Sequence, residues 1–309
     1  MNIRVLKPGL STTVQDRGRY GYAHLGISPC GAADAVSFRI ANMVVGNDEF
    51  APALEMTLLG ATLEFDQRAI VAVSGGECDC KLGRYSVPAN TAIEVPAGGV
   101  IQCGSTSSGA RCYLAVQGGL EVPLVMGSAS TDLRGGFGGY DGRRLRTEDV
   151  LSIGKNGGRR PRRLRAERLA DRPSSGSIRV TRGVQNEWFS GDEYEKFLAT
   201  PFEVSEQSDR AGLRLKGPSI APHEPRQLLT DGIPLGAVQV PPDGQPIILF
   251  VDQQTTGGYP KIANVIAADM HRIGQMRPRD VVRFAEVSIA DAVEALREQE
   301  HWLKSIWLE

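Results

Sequence analysis

The sequence predicts a mainly β protein built as two domains, on three observations. At 309 residues the chain is long for one core and comfortable for two domains of about 150 residues each. Thirty-six glycines and eighteen prolines punctuate many short β-branched runs, the pattern of strands joined by tight turns. The halves also end alike: "RLRTEDVLSI" (144–153) and "QMRPRDVVRF" (275–284) share an arginine, then Asp-Val, then an alternating apolar strand. That echo supports duplicated β domains meeting at a pseudo-symmetric seam, where ligand sites concentrate.

Taken in order, the first helix is expected over "GAADAVSFRIANMVVGN" (31–47), with Asp34 at its start, Val36, Ile40 and Val44 on one face and Gly46-Asn47 as the stop. "AIVAVSG", "YSVPANTAIEVPAG", "VIQCG" and "RCYLAVQGG" read as successive strands. Residues 1–156 form the expected first domain. Hydrophobic periodicity then lapses in "KNGGRRPRRLRAERLADRP", where Lys155 and seven arginines stand against Glu167 and Asp171. Without interleaved aromatics, this stretch (157–176) is read as a mobile, solvated basic linker and not as a nucleic-acid site. The second domain spans 177–309. Its helices are expected at "YPKIANVIAADMHRIG" (259–274), where Pro260 suits a first turn, and at the terminal "SIADAVEALREQEHWLKSIW" (288–307).

Composition narrows the function. A net charge of −1 gives no global field toward nucleic acid or an anionic membrane. No signal-peptide core and no membrane-length apolar run occur, so a cytoplasmic location is expected. Five cysteines, all in the first half, suit reduced thiols; Cys78 and Cys80 could face one way on a strand, but no second pair sits at ligand spacing, so no metal site is assigned. Phosphate-loop, H-E-x-x-H and G-x-S-x-G patterns do not occur. "GGFGGYDG" (135–142) lacks the strand-then-helix context of a dinucleotide fingerprint and reads as a lid or turn.

What remains is polar side chains at strand ends. "VDQQTTGGYP" (251–260) follows the apolar "PIILF" with five hydrogen-bonding side chains, more than a turn needs. Asp252, Gln253, Thr255 and Thr256 can face a ligand, with Gly257 and Gly258 supplying backbone angles and close approach beside Tyr259. Gln239, between apolar neighbours in "GAVQVPPDG", and Gln117, in "LAVQGG", hold buried amides at strand ends. Each half also carries an Asp-Arg loop: Gln15, Asp16 and Arg19, followed by Ser28 and Asp34, in the first; Asp209 and Arg210 in the second. A guanidinium there can grip a carboxylate or phosphate.

The blocks "TTVQDRGRYGYAHLGISPCGAAD", "VQGGLEVPLVMGSAST", "SDRAGLRLKG", "GAVQVPPDGQPIIL" and "DQQTTGGYPKIANVIAADM" resemble, in order and over nearly the whole chain, the biotin-dependent carboxyltransferase/allophanate hydrolase subunit 2 family. The family usually shows Ser-Gly-Ala/Pro-Met-Asp where this chain has Pro29-Cys30-Gly31-Ala32-Ala33-Asp34, so Ser28 is off the usual serine spacing. The resemblance implies two cyclophilin-like β-barrel domains and a heteromeric complex with a B (KipI-like) and an A subunit. The activity it suggests first is ATP-dependent opening of 5-oxo-L-proline, with Mg2+ accompanying ATP. Asp252, Asp16 and Gln239 are then expected as catalytic residues and the others above, apart from Ser28, as substrate or nucleotide contacts. Biotin-dependent carboxyl transfer is the alternative, with biotin carried on another protein; a regulatory partner of a kinase inhibitor is a third.

Overall fold

The computed structural model describes residues 1–155, 157, 159–170, 176–223 and 228–308. Residue 156 of the expected first domain, residues 158 and 171–175 of the expected linker, and residues 224–227 and 309 of the expected second domain lie outside the described residues. The chain divides into two compact units: Met1–Tyr20 with Cys30–Asp171 and Ser305–Glu309, and Gly21–Pro29 with Arg172–Lys304. Both are mainly β, each with a nearly closed, barrel-like sheet, as the sequence predicts. Among the described residues no helix is long and apolar enough to cross a membrane.

The first unit is built from β1 (Asn2–Lys7), β2 (Ser11–Gln15), β3 (Ala53–Thr57), β4 (Thr62–Phe65), β5 (Ala69–Leu82), β6 (Tyr85–Ser86), β7 (Ile93–Val95), β8 (Val100–Val116), β9 (Leu120–Glu121) and β10 (Val150–Ile153). They pair antiparallel in the order β2-β3-β8-β4-β1-β10-β9, with the long β5 pairing to β6, β7 and β8. Alternation sets the inward face: Leu63 and Phe65 of β4 and Leu151 and Ile153 of β10 are buried between more exposed neighbours. Helix α1 (Ala35–Val44) forms where expected and buries Val36, Phe38, Ile40 and Val44. A five-residue α2 (Ala166–Ala170) lies in the basic stretch.

The second unit comprises β11 (Ile178–Arg182), β12 (Phe202–Val204), β13 (Gly212–Lys216), β14 (Asp231–Gly232), β15 (Ala237–Gln239), β16 (Ile247–Leu249), β17 (Thr256–Gly257), β18 (Lys261–Val265), β19 (Val281–Val282) and β20 (Phe284–Glu286), with helices α3 (Gly191–Ala199), α4 (Met270–Ile273) and α5 (Ile289–Ser305). Eight strands run in the order β19-β12-β13-β16-β15-β18-β11-β20, antiparallel except for β11 with β20; β14 and β17 make a separate ribbon. Phe197 of α3 stacks on Phe284 at 4.5 Å in the core.

The structure corrects one expected element. Residues 259–274 do not form one helix: Lys261–Val265 is a strand held by β11 and β15, followed by a 3-10 turn and the single turn of α4. Neighbouring strands on both edges outweigh the helical spacing of Ile262, Ile266 and Ile273. Helix α3 was not read from sequence, although Ser190 caps it by accepting from Glu193 N at 3.2 Å and Asp192 and Glu193 sit in its first turn.

The sequence echo, in contrast, is a shared turn. Arg146 N donates to Asp149 Oδ2 at 2.7 Å, and Arg277 N to Asp280 Oδ2 at 2.8 Å. The residue before each aspartate, Glu148 or Arg279, has a left-handed φ of 69° or 77°. Each turn exchanges hydrogen bonds with one valine, Val5 or Val204, in its own unit.

The described part of the basic stretch is tethered to the first unit, which a mobile linker would not be. Gln117 Nε2 donates to Arg159 O at 3.2 Å, Arg162 N to Val44 O at 2.9 Å, Arg165 N to Ile306 O at 2.8 Å, and the Arg162 guanidinium lies 4.3 Å from the Trp307 ring centroid.

Candidate functional site

In the second unit a chain of contacts joins several of the polar residues expected at the site. Gln239 on β15 is in register with Lys261 on β18. Its buried amide donates from Nε2 to Tyr259 O at 3.3 Å. Gly257 packs against it, since a Cβ there would lie 3.1 Å from Gln239 Nε2 and 2.7 Å from Ile233 Cδ1. Gln253, also buried, donates from Nε2 to Ile233 O at 3.0 Å, while its Oε1 has no hydrogen-bond partner. Buried amide oxygens are ordinarily satisfied, so this acceptor, on the loop read as ligand-binding, is a ligand signal. Ser28 Oγ donates to Gln253 O and so fixes the same loop, although its spacing departs from the family pattern.

Lys261 completes the cluster, and the sequence reading missed it by placing it in a helix. It is only 1% exposed; Nζ donates to Gln185 Oε1 at 3.3 Å and to Asp231 Oδ2 at 3.2 Å. The hydrogen bond from Lys261 holds the Asp231 carboxyl below its ordinary pKa. The missed signal was β-branched and apolar spacing around Lys261 that also fits a central strand.

The "TTGG" segment is mostly ribbon. Thr256 and Gly257 pair with Gly232 and Asp231, and Thr255 O accepts from Ile233 N at 2.9 Å. Gly257 and Gly258 do not adopt left-handed φ angles, so the turn role read for them is replaced by close packing: a Cβ on Gly258 would sit 3.3 Å from Leu228 O. Tyr259 remains 44% exposed.

Asp252 and Arg210 are committed to one another. Arg210 Nε and Nη2 donate to Asp252 Oδ2 and Oδ1 at 2.8 and 2.9 Å, with the side chains 10% and 5% exposed. Both carboxylate oxygens are used, so this geometry fits a positioning clamp for the 252–259 loop better than a proton acceptor, and Arg210 better than a phosphate grip. Asp209 shapes the preceding turn by accepting from Ala211 N and Gly212 N at 2.8 and 3.1 Å.

The first-half candidates other than Ser28 sit in the first unit, three of them in separate roles. Asp16 accepts from Gly18 N, Ser128 Oγ, Ala129 N and Ser130 Oγ at 2.6–2.7 Å, a saturated clasp and not a free base. Asp34 caps α1 through Ser37 N at 2.9 Å and Ser37 Oγ at 2.6 Å. Gln117 straps Val45 O and Arg159 O. Only Gln15 and Arg19 retain unused groups: Gln15 Oε1 and Arg19 Nη1 are buried without partners, and Arg19 Nη2 donates to Ser130 O.

The Arg19 guanidinium lies 4.9 Å from the Phe137 ring centroid, behind the glycine-rich loop. A Cβ on Gly138 would fall 2.6 Å from Arg19 Nη2. That loop, with Tyr140, is a packed wall of a cavity of about 500 Å³ lined also by Glu121, Pro123 and Ser152. Among the described residues no group of three or more His, Cys, Asp or Glu is arranged to hold a metal ion.

Comparison with known proteins agrees with this architecture. A family model described as carboxyltransferase domain, subdomain A and B, matches residues 25–286. The chain is 39% identical over 304 residues to the C subunit of the 5-oxoprolinase of Escherichia coli (strain K12), covering 98% of this chain and 97% of that one. It is 32% identical over 328 residues to the urea amidolyase of Saccharomyces cerevisiae, covering 98% of this chain but 18% of that one. The crystal structure of the Kluyveromyces lactis urea carboxylase matches with a TM-score of 0.92 at 33% identity, over 98% of this chain and 29% of that chain. The chain therefore belongs to the carboxyltransferase family whose domain comprises subdomains A and B.

Proposed function

We propose that this chain is the C subunit of an ATP-dependent 5-oxoprolinase, opening 5-oxo-L-proline to L-glutamate in a complex with A and B subunits. The observation that carries the reading is the end-to-end likeness to the C subunit from Escherichia coli, in which each chain covers nearly all of the other. The match to urea amidolyase, by contrast, spans 18% of that protein, so carboxyl transfer ranks second.

The second-unit cluster suits the substrate's chemistry. A lactam presents one N–H and one C=O, with a carboxylate on the neighbouring carbon. The unpartnered Gln253 Oε1 offers an acceptor to the N–H. Buried Lys261, held by Gln185 and Asp231, offers positive charge to the carboxylate. Asp252 and Arg210 act as positioning residues that set the loop carrying Gln253. ATP, when bound, would activate the lactam by phosphorylating its oxygen; water would then add to the carbon, the ring C–N bond would break with its nitrogen taking a proton, and hydrolysis of the acyl phosphate left behind would release phosphate and glutamate. The unused Arg19 Nη1 is the group of this chain best suited to phosphate. Among the described residues no group of three or more His, Cys, Asp or Glu is arranged to hold a metal ion, and no Mg2+ ligand is assigned to this chain.

The test is ATP-dependent glutamate release from 5-oxoproline by this chain alone and with its A and B subunits. Turnover is expected only in the complex, and Gln253→Leu should raise KM for 5-oxoproline while the complex still assembles. Full turnover by the isolated chain, or a complex that acts on urea and not on 5-oxoproline, would reject the proposal.

A further inference from the structure

Lys261 is a buried cation whose counter-ion stands outside. Its side chain, on a strand flanked on both edges, is 1% exposed, whereas the Asp231 side chain that pairs with it at 3.2 Å is 56% exposed. Asp231 Oδ2 accepts one hydrogen bond from Nζ and Gln185 Oε1 accepts another at 3.3 Å. An ammonium has three donors, so one is left for a ligand.

The two ends of this pair differ in what they lose on parting. A buried ammonium without an anion is strongly disfavoured, so Lys261 requires a carboxylate beside it. Asp231 does not require the lysine: water reaches its carboxylate, and its other oxygen keeps the hydrogen bond from Gly232 N at 2.7 Å. Exchange of Asp231 for a second carboxylate therefore preserves the charge balance at Nζ and returns Asp231 to solvent. An uncharged molecule cannot make that exchange, because it would strand the cation.

The attachment of Asp231 permits the exchange. It lies on β14, which pairs only with the two residues of β17 and stands apart from the eight-stranded sheet. Residues 229–232 are all exposed. The anchor comes next: Ile233 is buried, donates from N to Thr255 O and accepts from Gln253 Nε2. Asp231 sits outside that anchor, where exposed chain moves at low cost. It also adjoins the recognition cluster, since Gly257, its partner in the ribbon, packs on Gln239, and Gln239 is in register with Lys261.

We propose, building on the reading of this cluster as the 5-oxoproline site, that Asp231 is an internal stand-in for the ligand carboxylate, pairing with Lys261 until a monocarboxylate displaces it. Asp231 is then a specificity-determining residue: it admits a ligand that brings its own negative charge and turns away an uncharged amide. The apparent affinity for a carboxylate is its intrinsic affinity reduced by the fraction of chains in which Asp231 has left Lys261.

Calorimetric titration of the full-length chain tests this with three probes: 5-oxoproline, the same lactam without its carboxylate, and cyclopentanecarboxylate, which has a ring and a carboxylate but no amide. Asp231→Asn removes no packing, and a neutral amide competes far less for an ammonium than a carboxylate does. It should tighten binding of both carboxylates at least ~5-fold and leave the uncharged lactam unchanged. A crystal structure of the wild-type chain with cyclopentanecarboxylate separates displacement from mere charge repulsion: the ligand carboxylate should lie on Lys261 Nζ, with Asp231 turned to solvent. Carboxylate affinity that is absent, unchanged or weaker in Asp231→Asn, an equal gain for the uncharged lactam, or a bound carboxylate with Asp231 still on Nζ would overturn the proposal. The cyclopentanecarboxylate arm decides whether or not the complex turns over 5-oxoproline, so the displacement and the activity fail separately.

Discussion

Replacing Asp252 by asparagine tests whether the loop carrying Gln253 is set by a buried ion pair. The carboxylate accepts two hydrogen bonds from Arg210, at 2.8 and 2.9 Å, and both side chains are nearly buried. The amide would keep the shape but leave the guanidinium without its carboxylate in a poorly solvated place. Breaking a buried pair by removing one partner typically costs about 3–5 kcal/mol. For a unit of this size, each kcal/mol moves the melting midpoint by roughly 2–4 °C, so a fall of about 10 °C is expected. The charge-free pair Arg210→Met/Asp252→Leu should recover much of that loss, because no uncompensated charge remains. Thermal melts of the three proteins, followed by circular dichroism, check it. An Asp252→Asn melt indistinguishable from wild type, with turnover in the complex abolished, would refute the clamp and return Asp252 to a direct chemical role.

Asp16→Ala strands four donors in the 16–18 and 128–130 loops, so it should destabilise the first unit by at least ~2 kcal/mol in urea titration. Gly257→Val should lower the melting midpoint through collision with Ile233 and Gln239; Gly257→Ala should do so less, and a D-alanine placed there should bring no rescue, because the native φ is not left-handed. The hydrogen bonds of Arg143, the largest cause, with that of Arg146 N, hold the Asp149 carboxyl below its ordinary pKa. Its contribution is full above the unfolded carboxylate value near ~4 and is lost as pH falls through the lower folded value. Melting midpoints measured down that acid limb should therefore fall less steeply in Asp149→Asn than in the wild type.

The parts of the fold that were legible in the sequence are those whose causes are local. Asp34 caps α1 through Ser37, three residues away, and the Arg-x-x-Asp turns before β10 and β19 close within four residues. Their hydrogen bonds form between groups that adjacent residues already hold together, so the pattern and the structure coincide. The turns also occupy corresponding places, since each exchanges backbone hydrogen bonds with a valine of the strand that pairs with the strand following it, Val5 of β1 or Val204 of β12. A repeated local device joined to a repeated long-range partner is what duplication of one β unit produces.

The site was less legible because its members are brought together by pairing between strands far apart in sequence. Lys261 looks helical by spacing and becomes a strand residue only because β11 and β15 flank it. Its partners Gln185 and Asp231 lie 76 and 30 residues away, separations at which no local pattern operates. Polar residue types at strand ends pointed to Gln239 and Gln253 but equally to Asp16 and Asp252, and residue type cannot tell a saturated carboxylate from an unfilled amide. What separates them is satisfaction: Asp16 has four donors and Asp252 a two-pronged partner, whereas Gln253 Oε1 has none. A buried acceptor without a partner costs free energy in the folded chain, and a ligand N–H would relieve it. That cost makes Gln253, and not the acidic residue beside it, the member of the loop on which recognition should depend.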